Sequence, residues 1–172
     1  MNKEAKPCSE SRAIKTTHIF PPDTNAIGTL FGGKLMSYID DIAGIAAARH
    51  ARRAVVTAST DSVDFIHPVY EGDTICLEAF VTYTHRTSME VFVKAITENL
   101  RSGKRRVCAT AFLTLVALDE NNKPTPVPGV IPESDEEKWL HNHAEKRAVY
   151  RRQRRKDSME MAEKFGTDLP WQ

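Results

Sequence analysis

The sequence predicts an α+β fold in which an antiparallel sheet wraps one long central helix, with a charged helical tail at the C-terminal end. Three observations carry that prediction. A single long stretch with apolar residues at helical spacing precedes residue 130, and it lies between Phe31 and His50. Four long runs rich in β-branched and aromatic residues follow it, separated by short segments of Pro, Gly, Ser or charge. Past residue 124 the pattern changes to prolines and then to dense charge.

Residues 1–12 mix charge, Ser and Pro with almost nothing to bury, and are expected to be a disordered lead-in. "AIKTTHIF" (13–20) reads as a first strand ended by Pro21 and Pro22, and "PPDTNAIG" as a loop. In the helix, Phe31, Leu35, Met36, Ile39, Ile42, Ala43, Ala46 and Ala47 recur three and four apart, and Arg49 and His50 in the last turn complement its dipole. The runs 54–66, 73–85, 88–100 and 105–118 read as strands, with "HPVYEGD", "HRTS" and "RSGK" as turns between antiparallel neighbours. The economical solution is a sheet curled around the helix, with an exposed edge that argues for pairing with a second copy.

The first domain-sized unit therefore runs over 13–128, and 129–172 forms a Pro-rich linker and a charged helix. Ser134 and Glu137 have capping-box spacing ahead of a helix expected over about 135–165. The segment "KRAVYRRQRRKDS" reads as a solvated helix face, with Trp139, Leu140, Ala144 and Tyr150 packed on a neighbouring subunit; a phosphate-binding role is the alternative.

Composition narrows the function classes. The 24 Lys and Arg nearly balance 23 Asp and Glu, which gives no bulk case for nucleic acid or membrane as partner. The polar N-terminus has no apolar core of a leader, and no stretch approaches the roughly 18 apolar residues of a membrane span, so a cytoplasmic setting is expected. Cys8, Cys76 and Cys108 are odd in number and lack a CxxC pair, which indicates neither a disulfide framework nor a zinc site; Cys76 and Cys108 are expected as small buried hydrophobes. His141 and His143 diverge on a helix, so no metal is expected.

The stretch "GTLFGGKLMSYIDDIAG" (28–44) carries the chemistry. Gly32 and Gly33 stand at the helix start, where unpaired N–H groups can donate to a developing oxyanion. Asp40 and Asp41 point about 100° apart on a helix. Asp40, one turn past Met36, is the acid nearer the apolar face and the one expected to meet a partly buried pocket. A carboxylate and oxyanion donors two turns apart on one helix suit acyl transfer; a tight helix entry and an ion-paired acid are the alternative. No GxSxG is present.

Four segments, "NAIGTLFGGKLMSYIDDIAGIAAARHA", "VVTASTDSVDFIHPVYEGD", "RTSMEVFV" and "ATAFLTLVALDENNKPTPVP", are similar in content and order to the hotdog-fold acyl-coenzyme A thioesterases, the bacterial acyl-CoA hydrolase group related to the mammalian brain-type enzyme. The resemblance implies an enzyme that hydrolyses fatty acyl-CoA to free acid and CoA at dimer interfaces, without metal or prosthetic group, as a homodimer or a hexameric trimer of dimers. It implies Asp40 as general base or nucleophile, Gly32 and Gly33 as backbone oxyanion donors, and Asn25 as a second polar contributor. It implies that Ser59, Thr60 and Asp61 face Asp40 across the interface, that Arg86 pairs with a CoA phosphate, and that Thr87 and Ser88 bind the pantetheine. The chain departs from the family at two points: Thr29 stands where some relatives carry Asn, and His85 where many carry Gly. A non-catalytic acyl-CoA binding or sensing module is the rival function. The related acyl-carrier-protein dehydratases need a His motif before the helix, which the chain lacks.

Overall fold

The computed structural model describes residues 4–168. In chain order it contains β1 (Lys6–Pro7), α1 (Cys8–Ser11), β2 (Ala13–His18), a 3-10 turn (Pro21–Asp23), α2 (Gly32–Ala51), β3 (Ala54–Phe65), β4 (Thr74–Thr84), β5 (Ser88–Asn99), β6 (Lys104–Leu118), β7 (Val130–Ile131), α3 (Asp135–Asn142) and α4 (Ala144–Lys164). The five long strands form one antiparallel sheet in the order β2-β4-β5-β6-β3. This is the hotdog arrangement, with α2 as the wrapped helix.

The periodicity of α2 sets the core. Leu35, Ile39, Ile42, Ala43, Ala46 and Ala47 are buried against Leu77, Val91, Val93, Leu113 and Leu115 of the sheet. Burying each of the large aliphatic side chains contributes about 1.5–3 kcal/mol. The helix ends at Arg52, which takes a left-handed conformation (φ 52°) and donates its N–H to the Ala48 carbonyl.

Several features differ from the sequence reading. The lead-in is not disordered from residue 6 onward: β1 pairs in parallel with β7, and Cys8 and Ser11 are fully buried, Ser11 Oγ accepting from Val81 N. So short an anchor shows no periodicity. The segment "HPVYEGD" is not a hairpin turn, because β3 pairs with β6 and not with β4. It crosses past the start of α2 instead, held by Leu30 N to Val69 O and Gly72 N to Ile19 O. The expected single tail helix is two helices meeting at His143, although the Ser134–Glu137 capping box forms as expected.

The tail, finally, packs on its own chain. The sheet face opposite α2 carries Phe80, Phe92 and Phe112, and Leu140 closes over them. Ala144 and Ala148 are buried in the same layer, whereas Trp139 and Tyr150, expected at a subunit contact, are 61% and 65% exposed in the single chain. Cys108 is buried as expected, and Cys76 only half so.

Candidate active site

The first turn of α2 lacks a cap. Phe31, the residue before it, makes no side-chain capping bond, and its carbonyl accepts from Lys34 and Leu35. Among the described residues the N–H groups of Gly32 and Gly33 have no acceptor. The approach to those donors is narrow at Gly33, where a Cβ would lie 2.6 Å from Cε1 of Phe31, whereas one on Gly32 would meet Phe65 at an ordinary 3.6 Å. The Phe31 ring itself leans over Gly33, so the glycine does not stand wholly clear of side chains.

Seven residues, about two turns and ~10 Å of axis, separate Gly33 from Asp40, so both lie on one side of the helix. The acidic pair divides there. Asp41 forms an ion pair with Lys15 at 2.6 Å. Asp40 has no cationic partner among the described residues and accepts a 2.7 Å hydrogen bond from Thr57 Oγ1 of β3. Both Asp40 and Thr57 are exposed in the single chain, at the edge where β3 has no second neighbour among the described residues. Asp40 is thus not in a partly buried pocket within one chain; the open strand beside it is what leaves it uncovered.

Thr57 is the site residue that sequence reasoning missed. The family resemblance directed attention to Ser59, Thr60 and Asp61, but β3 carries register shifts between Thr57 and Ser59 and between Thr60 and Ser62. These bulges reset which side chains face the helix. Thr57 and Thr60 pair with Leu115 and Leu113, whose side chains are buried in the core with α2, whereas Ser59 pairs with Thr114 on the opposite face. Asp61 belongs to that opposite face too: it accepts from Ser59 Oγ, Thr114 Oγ1, Arg151 and Arg154. The three residues expected to face Asp40 together are therefore split, and within the chain only Thr60 is on the face of α2.

Asn25 organises the loop ahead of the helix. Its Oδ1 accepts from Ile27 N and Thr29 N, and its Nδ2 donates to Thr29 Oγ1 at 2.9 Å, leaving one Nδ2–H unused. Gly28 turns this loop with φ 75°. Between the loop and the end of β3 lies a cleft of about 330 Å3, lined by Leu30, Gly32, Leu35, Phe65, Pro68 and Val69 among others.

A second cleft, of about 610 Å3, opens where the turn before β5 meets α4. It brings Thr87, Ser88, Ser59 and His85 together with Arg151, Arg152, Arg154 and Arg155, and among the described residues no carboxylate lines it. Arg86 is exposed and is not among its lining residues; its carbonyl accepts from Val127 N. The arginines, left in the sequence between two roles, divide along α4. Arg147 and Arg151 reach the buried Glu90, and Arg151 and Arg154 reach Asp61. Arg155 has no ion-pair partner among the described residues.

Two of the three thiols are buried away from the clefts. Burial pushes Cys108 up to about 11 and Cys8 up to about 12, far from the thiolate range. No group of three or more His, Cys, Asp and Glu that could hold a metal occurs among the described residues.

Comparison with known proteins places the chain in a family. Residues 27–104 match the thioesterase superfamily model. The chain is 57% identical over 168 residues to the uncharacterized acyl-CoA thioester hydrolase YkhA of Bacillus subtilis, covering 98% of each protein. It superposes on the acyl-CoA hydrolase of Staphylococcus aureus, solved with butyryl coenzyme A, coenzyme A and coenzyme A disulfide, with a TM-score of 0.89 at 46% identity, covering 92% of this chain and 97% of that one. Solved variants of that enzyme replace an aspartate, an asparagine and a threonine singly by alanine. An apo-hexameric acyl-CoA thioesterase superposes with a TM-score of 0.87 at 50% identity, covering 88% of this chain and 97% of that one. The chain belongs to the thioesterase superfamily, among its hotdog-fold acyl-CoA thioester hydrolases.

Proposed function

We propose that the enzyme hydrolyses fatty acyl-CoA to free fatty acid and CoA, with Asp40 as general base and the N–H groups of Gly32 and Gly33 as oxyanion donors. The observation that carries this reading is the division of the acidic pair: Asp41 is neutralised by Lys15, while Asp40 is held by a hydroxyl alone, on the same side of α2 as two unused N–H groups.

The chemistry follows from this placement. A water between Asp40 and the thioester carbonyl gives its proton to the carboxylate as its oxygen attacks the carbonyl carbon. Negative charge gathers on the carbonyl oxygen over Gly33, where fixed donors at a helix start stabilise it. Collapse breaks the C–S bond, the carboxylic acid of Asp40 returns the proton to the CoA sulfur, and the fatty acid leaves. A thioester is less stabilised by resonance than an amide, so a base and an oxyanion site suffice. Asn25 offers its remaining Nδ2–H from the loop before the helix.

The acyl chain enters the apolar cleft at Gly32, and the CoA portion lies along the cleft at the turn before β5. Thr87, Ser88 and Ser59 hydrogen-bond the pantetheine there, and Arg152 and Arg155 meet the phosphates as charge-assisted donors. Arg86, outside that cleft, is the lesser phosphate candidate. Homodimerisation through the open edge of β3 would bring a second chain over Asp40 and place Thr60 of each chain near the interface. A trimer of such dimers fits the hexameric relative. No prosthetic group has a role in this scheme, and a cytoplasmic setting suits a CoA ester as substrate.

The test compares an acyl-CoA with the corresponding S-acyl pantetheine, which lacks the nucleotide. Arg155→Ala should raise KM for the CoA ester about tenfold, the cost of one charge-assisted contact, and leave KM for the pantetheine ester unchanged. Equal effects on both substrates would remove the phosphates from this cleft. Binding of acyl-CoA without turnover would favour the sensing module.

A further inference from the structure

The proposed reaction leaves unexplained why an acid sits on the outer face of β3, buried under an arginine-rich helix. We propose that Asp61 is a positioning residue: clamped from behind by α4, it fixes the doubly bulged part of β3 and so holds Thr57 against Asp40. This rests on the reading of Asp40 and Thr57 given above.

Asp61 lies within the second of the two register shifts, four residues from Thr57. Bulges interrupt the ladder that would otherwise hold a strand in register, and among the described residues β3 is an edge strand that only β6 supports. The missing constraint comes from side chains. The Asp61 carboxylate, 11% exposed, accepts from Ser59 Oγ at 2.6 Å, Thr114 Oγ1 at 2.7 Å, Arg151 Nη1 at 3.1 Å and Arg154 Nη2 at 2.6 Å. Arg154 also donates through Nη1 to the Asp61 backbone carbonyl, a group in the bulge itself. Arg151 and Arg154 are one helical turn apart and so reach the same acid. Arg151 continues to Glu90 of β5, which Arg147 and the Thr82 hydroxyl also engage. The bulge is thereby tied through α4 to the middle of the sheet. Ser59, bonded to Asp61, lies two residues from Thr57, so a shift of the clamp moves the hydroxyl that meets Asp40.

The test uses full-length Asp61→Asn, Thr57→Val and the double variant, with kcat and KM measured for one acyl-CoA. Asp61→Asn and Thr57→Val should each lower kcat about tenfold, the scale of one hydrogen bond to a charged group, with KM changed less than about twofold. Because Asp61 acts through Thr57, the double variant should be no slower than Thr57→Val alone. Effects that multiply in the double variant, or a wild-type kcat for Asp61→Asn, overturn the proposal. Should Asp61→Asn not fold, Arg154→Gln leaves the other three donors in place and should lower kcat a few-fold, again only when Thr57 is present; a wild-type kcat for it overturns the proposal equally. A slow Thr57→Val beside a normal Asp61→Asn would remove the clamp alone. A normal Thr57→Val would remove the pairing of Thr57 with Asp40 as well.

Discussion

Replacing Gly33 by Ala separates the two roles a glycine can have at a helix start. The backbone there is not in the left-handed region, so alanine is allowed, and in a helix interior the exchange would stabilise by about 1 kcal/mol. At the second position of α2 the gain is smaller. Against it stands the Phe31 ring, whose Cε1, Cζ and Cδ1 would lie 2.6, 3.1 and 3.3 Å from the new methyl. That ring is 57% exposed and can turn away at a cost of at most about 1 kcal/mol. The two terms nearly cancel, so Tm should stay within about 3 °C of wild type. Activity should respond otherwise. The methyl and the displaced ring occupy the space above the N–H groups where the thioester carbonyl must dock, and a misplacement near 1 Å costs on the order of a hundredfold in rate. Gly32→Ala, whose methyl would meet Phe65 at 3.6 Å, should be markedly milder. Thermal unfolding and kcat on one acyl-CoA measure both. A Gly33→Ala enzyme with kcat within twofold of wild type would refute the docking of the thioester carbonyl in the space above Gly33.

Two further outcomes follow from buried charge. Glu90 is 2% exposed and meets Arg147 through both Nε and Nη2, so Arg147→Met should destabilise by about 3 kcal/mol in urea unfolding, the low end for breaking a buried pair because Thr82 and Arg151 remain; a loss below 1 kcal/mol would contradict the docking of α4 described above. His50 is fully buried, with Nε2 beside the Pro128 carbonyl at 3.1 Å and Nδ1 unpaired among the described residues, and burial lowers its affinity for a proton below the ordinary value of 6.5. The unfolded chain therefore binds this proton more readily, so wild-type stability should fall as pH drops from about 6.5 toward the depressed folded value, and His50→Phe should flatten that slope. Equal slopes for the two proteins would remove His50 as the cause.

What was legible in the sequence was what periodicity records. The apolar spacing of Phe31 to His50 marks α2 to within a residue at each end, and the β-branched runs mark the four long strands that follow it. Periodicity says which face is buried but not which strand lies beside which, so the pairing of β3 with β6, and with it the open edge beside Asp40, had no signal. Thr57 was hidden for a related reason: plain alternation would put it on the same face as Ser59, and only the bulges at Ala58 and Asp61, which leave no mark in the pattern, separate the two. The arginines of α4 resemble a solvated face because their partners, Glu90 and Asp61, lie far away in sequence and read as ordinary strand positions. Asp40 and the glycine pair could be singled out because they share one helix, where spacing translates directly into geometry. That Asp41 is the neutralised member of the pair depends on Lys15 of another strand, which no local pattern reveals.

The central claim is that Asp40 supplies the base for thioester hydrolysis. Release of free thiol from a panel of acyl-CoAs, short to long, by wild type and Asp40→Asn side by side tests it most directly. The account predicts turnover by the wild type, which also reveals the preferred chain length, and a loss of most of kcat in the variant while CoA still binds and the fold persists. Near-normal turnover by Asp40→Asn would contradict it.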